Sequence, residues 1–196
     1  LALYNALKAY GKNNVELIIP ECPKTFMFLP KAEEIKKESD KTNYDLAFAI
    51  DCAAENMLNG WSKYFEDAEC KVVIDHHGTN TMYGDYNYVN PDAPACTQVL
   101  ITIFEYLGVE ITKEIGTCIL TGIITDSGGF KFSCTKLSTF ETITEILKQT
   151  NINISDIMSN LFESETRESF EMQKYAINHT EFLYGGQVAL ISINNG

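Results

Sequence analysis

Short apolar runs and longer periodic segments follow one another along the chain. The short runs are typical of buried strands and predict strands at 15–19, 45–50, 72–74 and 187–193. The longer segments predict helices, one of them short and charged, at 1–10, 33–38, 94–107, 112–125, 136–149, 155–161 and 165–182. A turn-rich stretch at 80–95 is predicted to be irregular. Strands that alternate with helices predict an α/β fold, namely an open parallel sheet with helices on both faces.

Acidic and imidazole side chains come directly after two of the predicted strands. Asp51 follows the strand at 45–50, and Asp75, His76 and His77 follow the apolar run Val72–Ile74. Ligands of open α/β sheets bind beyond the carboxyl ends of the strands, and carboxylate and imidazole bind first-row divalent metals. A strand capped by polar loop residues is the simpler interpretation, and it would be preferred for a single histidine. Asp-His-His together favours a functional site.

A third acid, Asp126, ends an apolar helical segment and enters the turn that contains Gly128 and Gly129. A carboxylate at a helix C-terminus opposes the helix dipole, and a bound cation would compensate for this. The free backbone amides of a Gly-Gly turn could also hold an anion. Taken singly, Asp51 could be a strand-end cap and Asp126 an ordinary C-terminal residue. Taken together, three acids and two histidines predict a single cleft.

Composition and charge narrow the function classes. A net charge of −12 and a single arginine, Arg167, argue against a duplex-DNA-binding face, but they allow a small phosphate ester held by metal ions. The six cysteines are scattered without a C-x-x-C pair, which favours reduced thiols and a cytoplasmic protein. No apolar run approaches the roughly 20 residues of a membrane span. No signal peptide is recognised at the start.

Three stretches together resemble a known family. They are Asp51 after its strand, the motif Asp75-His76-His77-x-x-Asn80, and the segment 121–132 with the sequence Thr-Gly-Ile-Ile-Thr-Asp-Ser-Gly-Gly-Phe-Lys-Phe. They are similar to motifs of the DHH phosphoesterases, and most similar to the RecJ-like oligoribonuclease/pAp phosphatase (nanoRNase) branch. The stretch from Gly84 to Thr97 also resembles that branch, and the resemblance covers nearly all of the chain.

The resemblance implies a site with two Mn²⁺ ions, or alternatively Mg²⁺. Asp51 would bridge the ions, His76 would bind one of them and Asp126 the other. His77 would face the phosphate as a catalytic residue. Asp75 would belong to the same catalytic group and would orient a histidine from outside the ligand shell of the metal. The remaining motif positions would contact substrate: Asn80, Gly128, Gly129 and Lys131.

The sequence also departs from the family pattern. The first motif of the family, of the type His-x-x-Pro-Asp-Gly-Asp, should precede Leu1, and its substrate domain should follow Gly196; neither is present. We therefore expect a fragment, with 1–183 as an N-terminally incomplete catalytic domain and 184–196 as the start of a connection. Lys131 replaces a frequent arginine. Such a fragment is expected to bind at most one Mn²⁺ weakly and to be inactive.

By this resemblance the intact protein hydrolyses phosphate esters of short oligonucleotides or of 3′-phosphoadenosine 5′-phosphate (pAp). Two alternatives remain open from the sequence. The first is a relative that acts on cyclic dinucleotides, polyphosphate or pyrophosphate. The second is a degenerate DHH module that binds without catalysis. A homodimer is compatible with either.

Overall fold

The computed structural model describes residues 1–163 and 166–192, which fall into two compact units, 1–157 and 158–196. The first unit contains a parallel sheet and most of the helices. The second contains a helix and an antiparallel hairpin. The predicted α/β class is confirmed. Within the described ranges, no helix is both long and apolar enough to cross a membrane.

The sheet of the first unit consists of three parallel strands in the order β1-β2-β3. Their bounds are β1 Ala47–Ile50, β2 Lys71–Asp75 and β3 Tyr86–Val89. Ile50 pairs with Ile74, so the residues that follow them, Asp51 and Asp75, lie at the same edge. The register of these two strands therefore brings the two acids together, as the sequence predicts.

Six helices begin in the first unit: α1 Ala2–Ala9, α2 Ser62–Glu66, α3 Cys96–Leu107, α4 Lys113–Asp126, α5 Leu137–Thr150 and α6 Ile154–Phe162. On one face of the sheet, Phe65 of α2 packs against Ala49 and Val73. Successive strand residues point to opposite faces, so Ile74 faces the other side, and it is buried there. Helix α3 contacts β2. Both faces of the sheet are therefore covered.

Helix α4 is the centre of the helical core and packs against α1, α3 and α5. Thr112 caps its start by accepting a hydrogen bond from the amide of Ile115. Gly122 lies where α4 crosses α3, because an added Cβ would clash with the side chain of Thr97. The α4 residues with essentially no exposed surface are Ile115, Ile119, Leu120, Ile123 and Ile124.

We expect Gly122→Ala to destabilise the fold by about 1–3 kcal/mol, the usual cost of overpacking a core. The new Cβ would lie 3.0 Å from the Cβ of Thr97, so rotation of the threonine cannot relieve the clash. Urea denaturation measures the effect. Gly60→Ala is the control, since a Cβ added there would meet nothing within 4 Å. The penalty should shrink in a Thr97→Gly background, and an unchanged penalty there would contradict the assigned clash.

The second unit contains α7 Arg167–Asn178 and the strands β4 Thr180–Leu183 and β5 Val188–Ile191. The side chain of Thr166 caps α7 by accepting a hydrogen bond from the amide of Ser169. The two strands pair antiparallel across a 3₁₀ turn at Tyr184–Gly186. The predicted final strand is thus confirmed in part as β5. Its last residue, Ile193, lies outside the described residues.

Two element predictions were wrong, and two were confirmed only in part. The 15–19 segment makes only an isolated bridge, Ile18 to Lys36, and the predicted helix at 33–38 is a 3₁₀ turn, Ala32–Glu34. The stretch 80–95 contains β3, whose alternating tyrosines are partly exposed at the edge of the sheet. The predicted helix 165–182 ends at Asn178, and β4 replaces its last turn. Glu165, its predicted start, lies outside the described residues.

Other boundaries moved by one or two residues. Helix α3 begins at Cys96, with Ala95 in extended conformation before it, so Pro94 does not open the helix. The short helix α2 was not predicted. Its five residues are too few to show a helical period, and its packing depends on Phe65 against the sheet.

The segment 15–19 is held by a side chain instead of a strand ladder. The carboxylate of Glu16 accepts hydrogen bonds from Lys36 Nζ at 2.7 Å, Ser39 Oγ at 2.6 Å and the Tyr44 hydroxyl at 2.6 Å. These bonds, first among them the one from Lys36, lower the pKa of Glu16 to about 2.

We expect Glu16→Gln to destabilise the chain by about 2 kcal/mol at pH 7, the scale of hydrogen bonds to a charged group. A carboxyl with a lowered folded pKa stabilises above its unfolded pKa, near 4.5, and loses this contribution as the pH falls toward 2. The gap between wild type and variant in urea denaturation should therefore close between these values. The exposed Glu21→Gln is the control. A gap that is independent of pH would contradict the ionic origin.

Candidate metal centre

Asp51 stands at the end of β1 with a positive backbone φ angle. Its φ is +62°, in the left-handed region that L-amino acids rarely adopt. Its amide donates to the carbonyl of Ile74 at 3.0 Å and so extends the β1–β2 pairing by one residue. Residues with such backbone angles cluster at functional sites.

The ring of His76 lies close to two carboxylates, those of Asp51 and Asp126. Its Nε2 lies 3.3 Å from Asp51 Oδ1 and 3.9 Å from Asp126 Oδ2. Its other ring nitrogen, Nδ1, is 3.2 Å from the carbonyl of Ala93. The hydrogen bond with Asp51, the carbonyl of Ala93 and the nearby charges raise the pKa of His76 to about 9, against the effect of burial. The carbonyl fixes the ring so that Nε2 is the atom presented to the acids.

His77 is oriented by Asp75. Asp75 is fully buried, and its Oδ1 lies 2.7 Å from His77 Nδ1 and accepts from the amide of His76 at 2.7 Å. Its Oδ2 accepts from Asn80 at 2.6 Å. Burial alone would raise the pKa of Asp75, but the bonds from Asn80, His77 and the His76 amide outweigh it and lower the pKa. An ionised Asp75 thus holds the ring and leaves His77 Nε2 for a ligand.

Asp126 is the last residue of α4 and is partly exposed. Burial, followed by the charge of Asp51, raises its pKa, while the two histidines oppose the shift. Its carboxylate faces like charge at a helix end that already disfavours an anion. Positive charge between Asp51 and Asp126 would relieve both effects.

The donor set fits a divalent cation that prefers oxygen and imidazole ligands. Ligand atoms of Asp51, Asp75, His76 and His77 lie within 4.8 Å of one another. Both oxygens of Asp75 are already hydrogen-bonded, so Asp126 is the better third partner for Asp51 and His76. Neighbouring ligands of an octahedral ion with bonds near 2.1 Å are about 3 Å apart, close to the 3.3 Å between Asp51 and His76.

The turn after Asp126 differs from the prediction in one respect. The Gly128 amide donates to the carbonyl of Thr125 and the Gly129 amide to that of Ile124, at 3.0 and 2.8 Å. The hydroxyl and carbonyl of Ser127 accept the next three amides, those of residues 130–132. The hypothesis that free amides of this turn hold an anion was therefore wrong. Both glycines have positive φ, +60° and +67°, which explains their place in the turn.

The remaining predicted substrate residues lie near this edge with different surroundings. Lys131 is exposed on the turn after Asp126. The Asn80 side chain is committed within the protein, because its Nδ2 donates to Asp75 and to the carbonyl of Cys52, while its Oδ1 accepts from the amide of Met82. The structure thus shows Asn80 holding two loops together. Contact of Asn80 or Lys131 with substrate stays a prediction.

Two residues that hold parts of the candidate site by hydrogen bonds, Ala93 and Tyr83, were not predicted from the sequence. Ala93 acts through its carbonyl, on which no side-chain pattern reports. The Tyr83 hydroxyl donates to the carbonyl of Cys52 at 3.1 Å, beside Asp51. The only sequence signal for Tyr83 is an aromatic residue in a loop close to the Asp-His-His motif.

The nearby stretch from Gly84 to Asn87 fixes the path into β3. An added Cβ at Gly84 would lie 2.9 Å from Val73 Cγ2, so the loop passes directly over β2. Asp85 accepts from the amide of Lys71 at 2.9 Å, and Asn87 bonds both backbone groups of Gly84. This part of the motif is structural.

Comparison with known proteins gives matches along most of the chain. The family described as "DHH family, N-terminal domain" matches residues 1–123. The bifunctional oligoribonuclease and PAP phosphatase NrnA of Thermus thermophilus is 32% identical over 188 residues, which is 95% of this chain and 55% of that protein. The Bacillus subtilis protein of the same name is 24% identical over 131 residues, 65% of this chain and 42% of its own length. The chain thus spans about half of these relatives.

A crystal structure of an exopolyphosphatase-related protein from Bacteroides fragilis has a similar fold, with a TM-score of 0.81 and 20% identity. The match covers 94% of this chain and 57% of that one. At that identity the likeness supports the fold alone. The family match, the parallel sheet and the Asp-His-His motif at its edge agree with the predicted resemblance. The chain belongs to the DHH family and carries its N-terminal domain.

Proposed function

We propose that the chain is the metal-binding part of a phosphoesterase that acts on short oligonucleotides and on pAp. The observation that supports this proposal best is the convergence of Asp51, His76 and Asp126 beside His77 at one edge of the sheet. Oxygen and imidazole ligands suit Mn²⁺ or Mg²⁺. The names of the Thermus and Bacillus relatives give the substrate class.

The residues of the site divide into a cation-binding side and a phosphate-facing side. Asp51, His76 and Asp126 would hold the cation, with His76 presenting Nε2 because Ala93 holds its other nitrogen. A divalent cation would supply a Lewis acid that activates water and stabilises charge on the phosphoryl oxygens. The site acids need that charge, because they would otherwise repel a phosphate.

His77 would serve the phosphate from the other side. Its Nδ1 is held by the buried Asp75, so Nε2 carries the lone pair or the proton that meets a ligand. A histidine in this arrangement can stabilise the charge of the phosphoryl group or relay a proton to the leaving oxygen. Asp75 touches neither water nor substrate, and it acts through the orientation of the ring.

The overall charge of −12 agrees with a small substrate more than with a duplex. A duplex needs many basic contacts along its backbone, whereas a terminal phosphate needs only a local positive site. The proposal therefore limits nucleic-acid substrates to short single strands and nucleotides.

The proposal is tested on the full gene product by phosphate release from pAp and by shortening of a labelled dinucleotide, each with Mn²⁺, with Mg²⁺ and with chelator. We expect turnover with Mn²⁺ and none with chelator. Polyphosphate and a cyclic dinucleotide are the competing substrates, and a preference for either would replace the substrate assignment. Binding of Mn²⁺ without turnover of any substrate would favour a non-catalytic module.

A further inference from the structure

The loop that follows Asp51 is held by hydrogen bonds from a second loop, residues 80–83. Aspartate is one of the few L-residues that enter the left-handed region, but this region is still less favourable than the extended one, so contacts that fix the chain beside Asp51 help to keep it there. Its own amide is fixed to Ile74, on the strand side. On its other side Asp51 is joined to Cys52, and the carbonyl of Cys52, one peptide further on, is the first backbone group there that side chains fix.

Two side chains converge on the Cys52 carbonyl. The Tyr83 hydroxyl donates to it at 3.1 Å and Asn80 Nδ2 at 3.2 Å. One residue further on, the carbonyl of Ala53 accepts from the amide of Thr81 at 2.9 Å. The loop after β1 is thus tied to the loop 80–83 at consecutive residues.

Tyr83 is itself anchored in the core of the sheet. Its ring lies 5.5 Å from the ring of Phe65, measured between centroids, and packs against the cluster that contains Ala49 and Val73. The Tyr83 hydroxyl is a proton donor at neutral pH, and burial raises its pKa further above its usual range. A rigid ring with a fixed hydroxyl can hold a backbone carbonyl in one place.

We propose that Tyr83 is a positioning residue for Asp51. Its hydroxyl holds the Cys52 carbonyl and so keeps Asp51 in the left-handed conformation that turns the carboxylate toward His76. Tyr83 touches neither cation nor substrate in this arrangement. The inference deepens the proposed function and rests on it for the role of Asp51 as a metal ligand.

Tyr83→Phe removes the hydroxyl and keeps the ring. The first measurement is the backbone chemical shifts of Asp51 and Cys52 in the metal-free chain, and we expect both to move as Asp51 relaxes. The second is the Kd for Mn²⁺ by calorimetry, which we expect to rise roughly 10-fold, the lower end of the effect of losing an outer partner of a metal ligand. The lower end applies because Asn80 still donates to Cys52.

Tyr64→Phe is the matched control. It also loses a partly buried hydroxyl, which bonds to the backbone of Ser39 away from the site. The two variants should have similar urea midpoints, and only Tyr83→Phe should change the Asp51 shifts and the Kd. Unchanged Asp51 shifts in Tyr83→Phe would overturn the proposal whatever the metal result. A wild-type protein that hydrolyses nothing would instead overturn the proposed function, while the metal-free shifts would still decide the role of Tyr83.

Discussion

His76→Ala is expected to lower the affinity for Mn²⁺ and the activity of the full gene product by more than the roughly 10- to 100-fold that loss of an outer partner costs. The reason is that Nε2 of His76 lies between Asp51 and Asp126 and would be a direct ligand. Added Mn²⁺ should restore part of the rate, because two carboxylates and water can still complete the shell. Metal titrations of kcat and calorimetry measure both effects.

His77→Ala is the matched comparison, because the two rings are neighbours at 4.6 Å between centroids. Here kcat should fall by roughly 10²- to 10⁴-fold, the usual contribution of a group that transfers a proton. Excess Mn²⁺ should not restore it, because in the proposed site the missing ring would face the phosphate. Equal rescue of both variants by Mn²⁺ would overturn the division of roles between His76 and His77.

The local pattern was sufficient to predict the edge of the sheet at which the candidate site residues meet. An apolar run ending in Asp-His-His identifies β2, and a second run ending in Asp51 identifies β1. Parallel strands have their carboxyl ends at one edge, so the two acids had to meet there. Asp126 could be placed at a helix end because its preceding residues follow a clear helical period.

The contacts that tune the site could not be read from the sequence. Ala93 and Cys52 act through carbonyls, and their partners His76 and Tyr83 are 17 and 31 residues away in the chain. The hydrogen bonding of the amides in the Gly-Gly turn could not be predicted from the sequence either. The sequence shows glycines that permit such a turn, but only the fold shows that its amides point back to the end of α4.

The predictions for the edge strand β3 and for the segment 15–19 were wrong for a different reason. β3 alternates exposed tyrosines with partly buried residues, so its apolar content resembles that of a loop with aromatic residues. Its identity depends on pairing with β2, and that pairing depends on Gly84 passing close to Val73. The segment 15–19 shows the opposite case. Its apolar run has the composition of a strand but finds only one bridging partner.

Asp75→Asn is expected to affect both catalysis and stability. An asparagine has one acceptor oxygen, whereas Asp75 accepts from the His76 amide and His77 on one oxygen and from Asn80 on the other. The NH₂ group of the new asparagine must therefore face one of these hydrogen-bond donors, and residue 75 is fully buried. A buried group left without its partner costs about 1–3 kcal/mol, measurable by urea denaturation.

The pH dependence separates this ionic contribution from simple packing. Because the folded pKa of Asp75 is lowered, its carboxylate stabilises the chain above its unfolded pKa, near 3.8, and this contribution is lost as the pH falls through the folded pKa. The stability gap between wild type and Asp75→Asn should therefore be constant from about pH 5 to 7 and narrow in acid, as the pH falls below 3.8 toward the lowered folded pKa. Exposed Asp92→Asn should show no comparable gap at pH 7.

In the full gene product, Asp75→Asn should lower kcat without weakening Mn²⁺ binding to the same degree, because His77 loses its orientation while His76 keeps the carbonyl of Ala93. Equal losses of kcat and Mn²⁺ affinity would instead make Asp75 a ligand of the cation.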